Sequence, residues 1–270
     1  MTPVIHNPLQ ARLARGGLGL ALIVQKAGSA DIALAAQACG YDALSIDLEH
    51  SVLGEQAATQ ISLAALGAGI APLVRVPSQD AHFANRVLDA GALGVIVPHV
   101  ETAQQAREVA AACRFAPHGQ RSATYRWPHW RYRDVPPVQA RAGLDAATTV
   151  VVMLESPQAI ERADEIAAVP GVDILHVGTV DLCDAMGMPG AQDDPRVMAA
   201  LGRVADACRR HGKVAGAGGL GGQPALLQQA VARGVRFITA GIEWDLMVTA
   251  IGQRAQTLRH FDNTAPQGAD

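Results

Sequence analysis

Lysine is nearly missing from this chain: of 22 Lys and Arg residues, only Lys26 and Lys213 are lysine. Chemistry through a lysine imine is therefore narrowed to Lys26, which lies just beyond an apolar run, since Lys213 precedes one. Cysteine is scarce too. Cys39, Cys113, Cys183 and Cys208 are scattered, with no zinc-ligand or redox spacing, and read as plain buried thiols of a reducing cytoplasm. Net charge is only −3, so no excess of one sign calls for nucleic acid or an anionic membrane as partner. No apolar stretch reaches the length of a bilayer span. The first residues, Met1 to Gly17, lack the apolar core and small-residue cleavage site of a secretory signal, so a cytoplasmic protein is expected. No Gly-x-Gly-x-x-Gly turn follows the first apolar run, which weakens the case for an open doubly wound sheet.

What is present is a 270-residue chain with 49% hydrophobic residues, enough for one large core. Short β-rich runs alternate with longer Ala-rich stretches. Strands are expected at Gly19–Val24, Ala43–Asp47, Pro72–Val76, Leu93–Val97, Val150–Leu154, Ile174–Val177, Val214–Ala217 and Arg236–Ala240. The runs are continuous rather than alternating, as for parallel strands covered by helices. Helices are expected at Asp31–Cys39, Glu55–Leu66, Gln79–Ala90, Thr102–Arg114, Pro157–Ala168, Pro195–Arg210 and Gln223–Arg233, with a last helix, Glu243–Arg259, beyond the final strand. Eight such units predict the α/β class, as a single (β/α)8 TIM barrel with an extra C-terminal helix. The tail Thr264–Asp270 reads as a frayed end.

Residues 115–144 break the short-loop pattern. Tyr125, Trp127, Trp130 and Tyr132 fall here among His118, Arg121, Arg126, His129, Arg131 and Arg133, in a chain that is only 4% aromatic. A long aromatic and basic loop fits an oligomer contact or a substrate lid.

At the strand ends the polar residues gather. Ala43–Ile46 leads into Asp47-Leu48-Glu49-His50; Pro72–Val74 ends in Arg75; Val150–Leu154 ends in Glu155; Asp181 follows Ile174–Gly178 closely. In a parallel barrel these side chains share one mouth. Either acid alone could cap a helix. Two acids on neighbouring strand ends, facing an arginine and a histidine, instead point to a hard divalent cation. Arg75 offers a planar fork for a carboxylate, and His50 titrates near neutrality and suits proton transfer, with Asp89 as an orienting partner. His176, inside a strand, reads as packed core.

The segments Asp47-Leu48-Glu49-His50, Val74-Arg75-Val76-Pro77, Val97-Pro98, Leu154-Glu155-Ser156-Pro157 and Gly178-Thr179-Val180-Asp181-Leu182 together resemble the HpcH/HpaI aldolase family, the metal-dependent class II pyruvate aldolases such as 4-hydroxy-2-oxo-heptanedioate and 2-dehydro-3-deoxyglucarate aldolases. The resemblance runs in order from Gly28 to Gly241. It implies cleavage of a 4-hydroxy-2-oxo acid to pyruvate and an aldehyde, with one divalent cation, Mg²⁺ or Mn²⁺ (Co²⁺ or Zn²⁺ being the other options), held by Glu155 and Asp181. It implies that Arg75 steadies the enolate and that His50, with Asp89, handles the hydroxyl proton. Gly178, Thr179, Val180 and Asp181 would bind the pyruvyl carboxylate, and the assembly would be a homo-oligomer, a hexamer. Thr179 stands where relatives usually have proline, and Met153 where many have glutamine. A CoA-thioester lyase of the citramalyl or malyl type is the alternative, but this chain lacks the Arg-rich opening strand leading into Phe-Val-Pro. The other alternative is a non-catalytic barrel serving as a binding module.

Overall fold

A computed structural model describes residues 4–261; the tail Thr264–Asp270 lies outside them. The strands are β1 (Gly19–Val24), β2 (Ala43–Asp47), β3 (Ala71–Arg75), β4 (Gly94–Val97), β5 (Thr149–Leu154), β6 (Ile174–Gly178), β7 (Val214–Gly218) and β8 (Val235–Ile242). They pair in parallel in chain order and close, β8 on β1, into a barrel. The helices are α1 (Pro8–Ala14), α2 (Asp31–Ala38), α3 (Glu55–Ala68), α4 (Ala81–Asp89), α5 (Ala103–Cys113), α6 (Pro137–Ala147), α7 (Pro157–Glu161), α8 (Ala163–Ala167), α9 (Thr179–Ala185), α10 (Pro195–His211), α11 (Pro224–Ala232) and α12 (Glu243–Arg259). The expected α/β barrel is thus formed, and α12 is the extra C-terminal helix. No helix of the described residues is long and apolar enough to cross a membrane.

Strand alternation separates two cores. Leu44, Ile46, Val74, Val150, Val152, Leu175 and Val177 pack outward against the helices. Ala43, Ala71, Leu73, Val151, Met153, Ile174 and Phe237 fill the interior. The interior set has the parity of Asp47, Arg75 and Glu155, because side chains alternate faces along a strand. The same alternation that fills the barrel therefore delivers those three residues to its mouth.

The foot of the barrel is closed by an element the periodicity missed. Leu9 of α1 is fully buried in the interior core. Asn7 caps α1 by accepting from the Gln10 N–H, and its own amide donates to Ala147 O at 2.8 Å and Thr149 Oγ1 at 3.1 Å. Asn7-Pro8 is a cap followed by an N1 proline, a start signal overlooked because α1 spans only two turns. The expected helix over Pro157–Ala168 is broken at Arg162 into α7 and α8.

Residues 115–144 are not all loop. A 3-10 turn covers Pro128–Trp130, and α6 starts at Pro137. Trp127 and Trp130 are buried with Phe115, Ala140 and Leu144 in a separate small core. His129 Nε2 lies 3.0 Å from Ala92 O, which precedes β4 and so sits at the foot. The tryptophans therefore lie at the foot of their own barrel, away from its mouth. Their indoles are consumed in fastening this segment to α6 and the barrel foot.

His176 is buried at mid-barrel, as expected. Glycine at 216 and 218 makes its space: a Cβ there would lie 2.6 Å from Nδ1 and 2.9 Å from Nε2. Burial, aided by the charge of Arg75, pushes its imidazole down to about 3. A base held neutral in the fold contributes stability above its ordinary value near 6.5, and that contribution is lost as pH falls toward the folded value. His176→Gln should flatten the fall of unfolding free energy between pH 6.5 and 4, read by urea titration at stepped pH. An unchanged slope would show that His176 is not held neutral.

Candidate active site

Asp47 is the most heavily used polar group at the mouth. It is fully buried at the end of β2, directly opposite Arg75 in the β2–β3 register. Its Oδ1 accepts from Arg75 Nε at 3.0 Å and from the Glu49 and His50 backbone N–H groups at 2.9 and 3.2 Å. Its Oδ2 accepts from Arg75 Nη2 at 2.6 Å and Gln25 Nε2 at 2.7 Å. Burial alone would raise the Asp47 carboxyl, but the hydrogen bonds and charge of Arg75 overcome it and hold it below the usual range. Arg75 Nη1 makes a second ion pair with Glu49 Oε2 at 3.0 Å.

Glu155 lies across the mouth in a different environment. It is 6% exposed, and Oε2 accepts the His99 backbone N–H at 2.8 Å with the His99 ring Nδ1 3.1 Å away. Oε1 faces Gly178, where a Cβ would come within 2.8 Å. Burial raises its carboxyl above the usual range against the pull of His99, and the charges of Asp181 and Glu49 push it the same way. Asp181, half-buried in the first turn of α9, is thus near enough to repel it. Thr179, in the place of the usual proline, is buried and donates to Gly218 O at 2.7 Å, tying the start of α9 to β7. Val180 is exposed.

The donor set fits a hard cation. Two carboxylates, Glu155 held by a backbone N–H and raised in part by the charge of Asp181 at a helix start, carry surplus negative charge that a divalent ion would relieve. Among the described residues no group of three or more His, Cys, Asp or Glu is gathered for a metal, so an ion held by this pair would draw its other ligands from water and substrate oxygens.

Structure and sequence part company at Asp89. The C-terminal end of α4 carries it to the foot of β4, roughly 13 Å of helix below the mouth where His50 lies. There it accepts from Arg121 Nη2 at 2.9 Å and Trp127 Nε1 at 3.0 Å. His50 is exposed and has Glu49 Oε2 at 3.5 Å from Nε2 instead. The site also contains residues to which the strand-end pattern gave no role. His99 follows Val97-Pro98 with φ +55° and reaches Glu49 Oε1 at 3.2 Å as well as Glu155. Gln25 directly follows β1. A left-handed histidine leaves no mark in sequence, whereas Gln25 could have been found by extending the strand-end search by one residue.

This geometry agrees with what the chain is similar to. The profile of the HpcH/HpaI aldolase/citrate lyase family matches residues 24–250. The chain belongs to that family. It is 43% identical over 228 residues to the 4-hydroxy-4-methyl-2-oxoglutarate aldolase of Hapsidospora irregularis, covering 84% of each chain. It is 31% identical over 266 residues to the 2-keto-3-deoxy-L-rhamnonate aldolase of Shigella sonnei, covering 97% of each. Among solved structures, the HpcH/HpaI aldolase of Desulfitobacterium hafniense superimposes with a TM-score of 0.88 at 25% identity, covering 94% of this chain and 97% of that one. The chain is accordingly a carbon–carbon lyase of the aldolase kind.

Because the Asp47 carboxyl is held below its ordinary value near 3.9, its stabilisation is complete above that pH and lost as pH falls through the folded value. Asp47→Asn leaves a buried guanidinium short of its partner and should cost about 3 kcal/mol at pH 7. The deficit should shrink below pH 4, where the wild type also becomes protonated. Chemical unfolding of both proteins across that range checks the sign.

Proposed function

We propose that this member of the family cleaves 4-hydroxy-2-oxo acids to pyruvate and a carbonyl product, with Glu155 and Asp181 holding Mg²⁺ or Mn²⁺. The observation that carries the reading is the pairing, at one mouth, of a surplus-negative carboxylate pair with a guanidinium clamped by Asp47. When bound, the cation supplies Lewis-acid polarisation of the 2-oxo group. Arg75 spends two of its five N–H donors on Asp47 and keeps at least two for the substrate oxygen on which negative charge develops. The opening turn of α9, Gly178 to Asp181, presents unpaired backbone N–H groups toward the pyruvyl carboxylate. His50, oriented by Glu49, takes the proton of the C4 hydroxyl. The C3–C4 bond then breaks, its electrons pass to C3 and the 2-oxo oxygen beside Arg75, and a proton returned to C3 completes pyruvate. The 4-hydroxy-4-methyl-2-oxoglutarate of the Hapsidospora irregularis relative is one such acid, and its carbonyl product is itself a 2-oxo acid.

The test is a coupled pyruvate-release assay with 4-hydroxy-4-methyl-2-oxoglutarate and 2-keto-3-deoxy-L-rhamnonate. Activity should vanish with EDTA and return with Mn²⁺ or Mg²⁺. Arg75→Lys should lose about 100-fold, because a point charge cannot hold both Asp47 and the substrate. Full turnover in a metal-free sample, or no pyruvate from either acid, sinks the reading.

The same reading makes the enzyme a homo-oligomer, a hexamer, assembled through α12. Glu243 is the only buried residue of that helix, while Leu246, Met247, Val248, Ile251 and Leu258 are exposed. A contiguous apolar face of this kind fits a second copy of the chain. In such an assembly Asp89 could meet His50 only across a subunit boundary. Light scattering should find an oligomer that Ile251→Glu with Leu258→Glu dissociates; an unchanged mass in the double variant rejects α12 as the contact.

A further inference from the structure

Gln25 stands between two anchors. Its side chain donates to Asp47 Oδ2 at 2.7 Å, on the oxygen that also takes Arg75 Nη2. Its backbone is held by Glu243, the first residue of α12. Both Glu243 oxygens lie 3.0 Å from the Gln25 N–H, and Oε1 also accepts the N–H groups of Lys26 at 2.5 Å and Ala27 at 2.8 Å. Three successive backbone N–H groups thus converge on one carboxylate that is 8% exposed. Such a concave run of N–H groups favours an anion, and charge-assisted bonds to it are about twice as strong as neutral ones.

We infer that Glu243 is a positioning residue for Arg75, acting through the Gln25–Ala27 backbone, the Gln25 amide and Asp47. The chain of contacts is continuous and short. Glu243 fixes where the β1–α2 connection runs. That connection presents the Gln25 amide, which occupies Asp47 Oδ2 alongside the guanidinium. With Gln25 in place, Asp47 has all five donors and one orientation. Without it, Oδ2 is left with Arg75 alone, and the Asp47–Arg75 fork can rotate together about the strand ends. The substrate-facing N–H groups of Arg75 would then be spread over several directions, which weakens the grip on the pyruvyl unit more than it weakens the fold. Glu155 follows β5 and Asp181 stands in the first turn of α9, both outside this chain of contacts, so cation binding is not touched. Among the described residues, Glu243 is the side chain that binds the Gln25, Lys26 and Ala27 N–H groups.

This rests on the pyruvyl-binding role of Arg75 proposed above, and the experiment separates the two. Exchange of pyruvate methyl protons in D₂O is followed by NMR in the intact Mg²⁺-loaded protein, for the wild type, Glu243→Gln, Gln25→Ala and the double variant. Each single change should raise the KM for pyruvate about tenfold, the scale of a small misplacement of a binding group. Mn²⁺ affinity by calorimetry should stay within about twofold of wild type. The double variant should be no worse than the worse single, since both cut the same chain. A wild-type KM in Gln25→Ala overturns the inference even if Glu243→Gln fails to fold. So do multiplying effects in the double variant, or a parallel loss of Mn²⁺ affinity. A wild type that exchanges no deuterium into pyruvate overturns the pyruvate reading itself, and this inference with it.

Discussion

The buried pair of Asp47 and Arg75 is the constraint around which the mouth is built. A guanidinium that is nearly enclosed needs its countercharge within hydrogen-bond distance, and two adjacent strands in register supply it. Having accepted Arg75 on both oxygens, Asp47 takes three further donors, and these order the rest. Oδ1 is shared with the Glu49 and His50 N–H groups, which bend the chain after β2 so that both side chains stand at the rim. Oδ2 also takes the Gln25 amide and fixes the end of β1. One carboxylate thereby gathers three strands and the turn carrying His50.

The two halves of the mouth are electrostatically unlike. On the β2–β3 side the acid and the base neutralise each other, and Asp47 is pushed to lower pKa. On the β5–β6 side Glu155 is pushed up by burial, by Asp181 and by Glu49. Two carboxylates at one barrel mouth are driven in opposite directions by their surroundings, which is how one fold sets two groups of one kind apart. Arg75 lies between them and feels Asp47, Glu49 and Glu155 together, so its charge is strengthened despite burial, which opposes it.

Most of this was legible because of strand arithmetic. Continuous apolar runs marked all eight strands, and since interior positions recur every second residue, the polar residue ending a run inherits the direction of the interior residue two before it. Ser45 predicts Asp47, Leu73 predicts Arg75, and Met153 predicts Glu155. What escaped depends on contacts between distant parts of the chain. Glu243 is over two hundred residues from the backbone it binds, and nothing local distinguishes it from any acid in a first helical turn. Asp89 lies close after Arg75 in sequence, and only the antiparallel course of α4 shows that it belongs to the opposite end. The stretch 115–144 hides its buried part for a related reason. Arg121, Trp127 and Trp130 have the composition of a surface, yet Arg121 is buried over the Phe115 ring at 4.6 Å and paired with Asp89.

His99 explains why Glu155 points where it does. A residue with a Cβ at φ +55° is costly, of order 1 kcal/mol, unless its surroundings over-determine it. Here they do: the His99 N–H is fixed by Glu155 Oε2, the ring lies between Glu155 and Glu49, and the His99 carbonyl accepts from Gln79 Nε2 at 2.6 Å. With Oε2 engaged in this way, Glu155 can turn only Oε1 toward Gly178 and the first turn of α9. The absence of a side chain at 178 keeps that line open, and Thr179, hydrogen-bonded to Gly218, keeps the turn from drifting. Oε1 of Glu155 and the first turn of α9 are thus set in place by bonds to His99 and Gly218 that leave the Asp181 carboxylate out, so the repulsion between the two acids is not relieved within the chain.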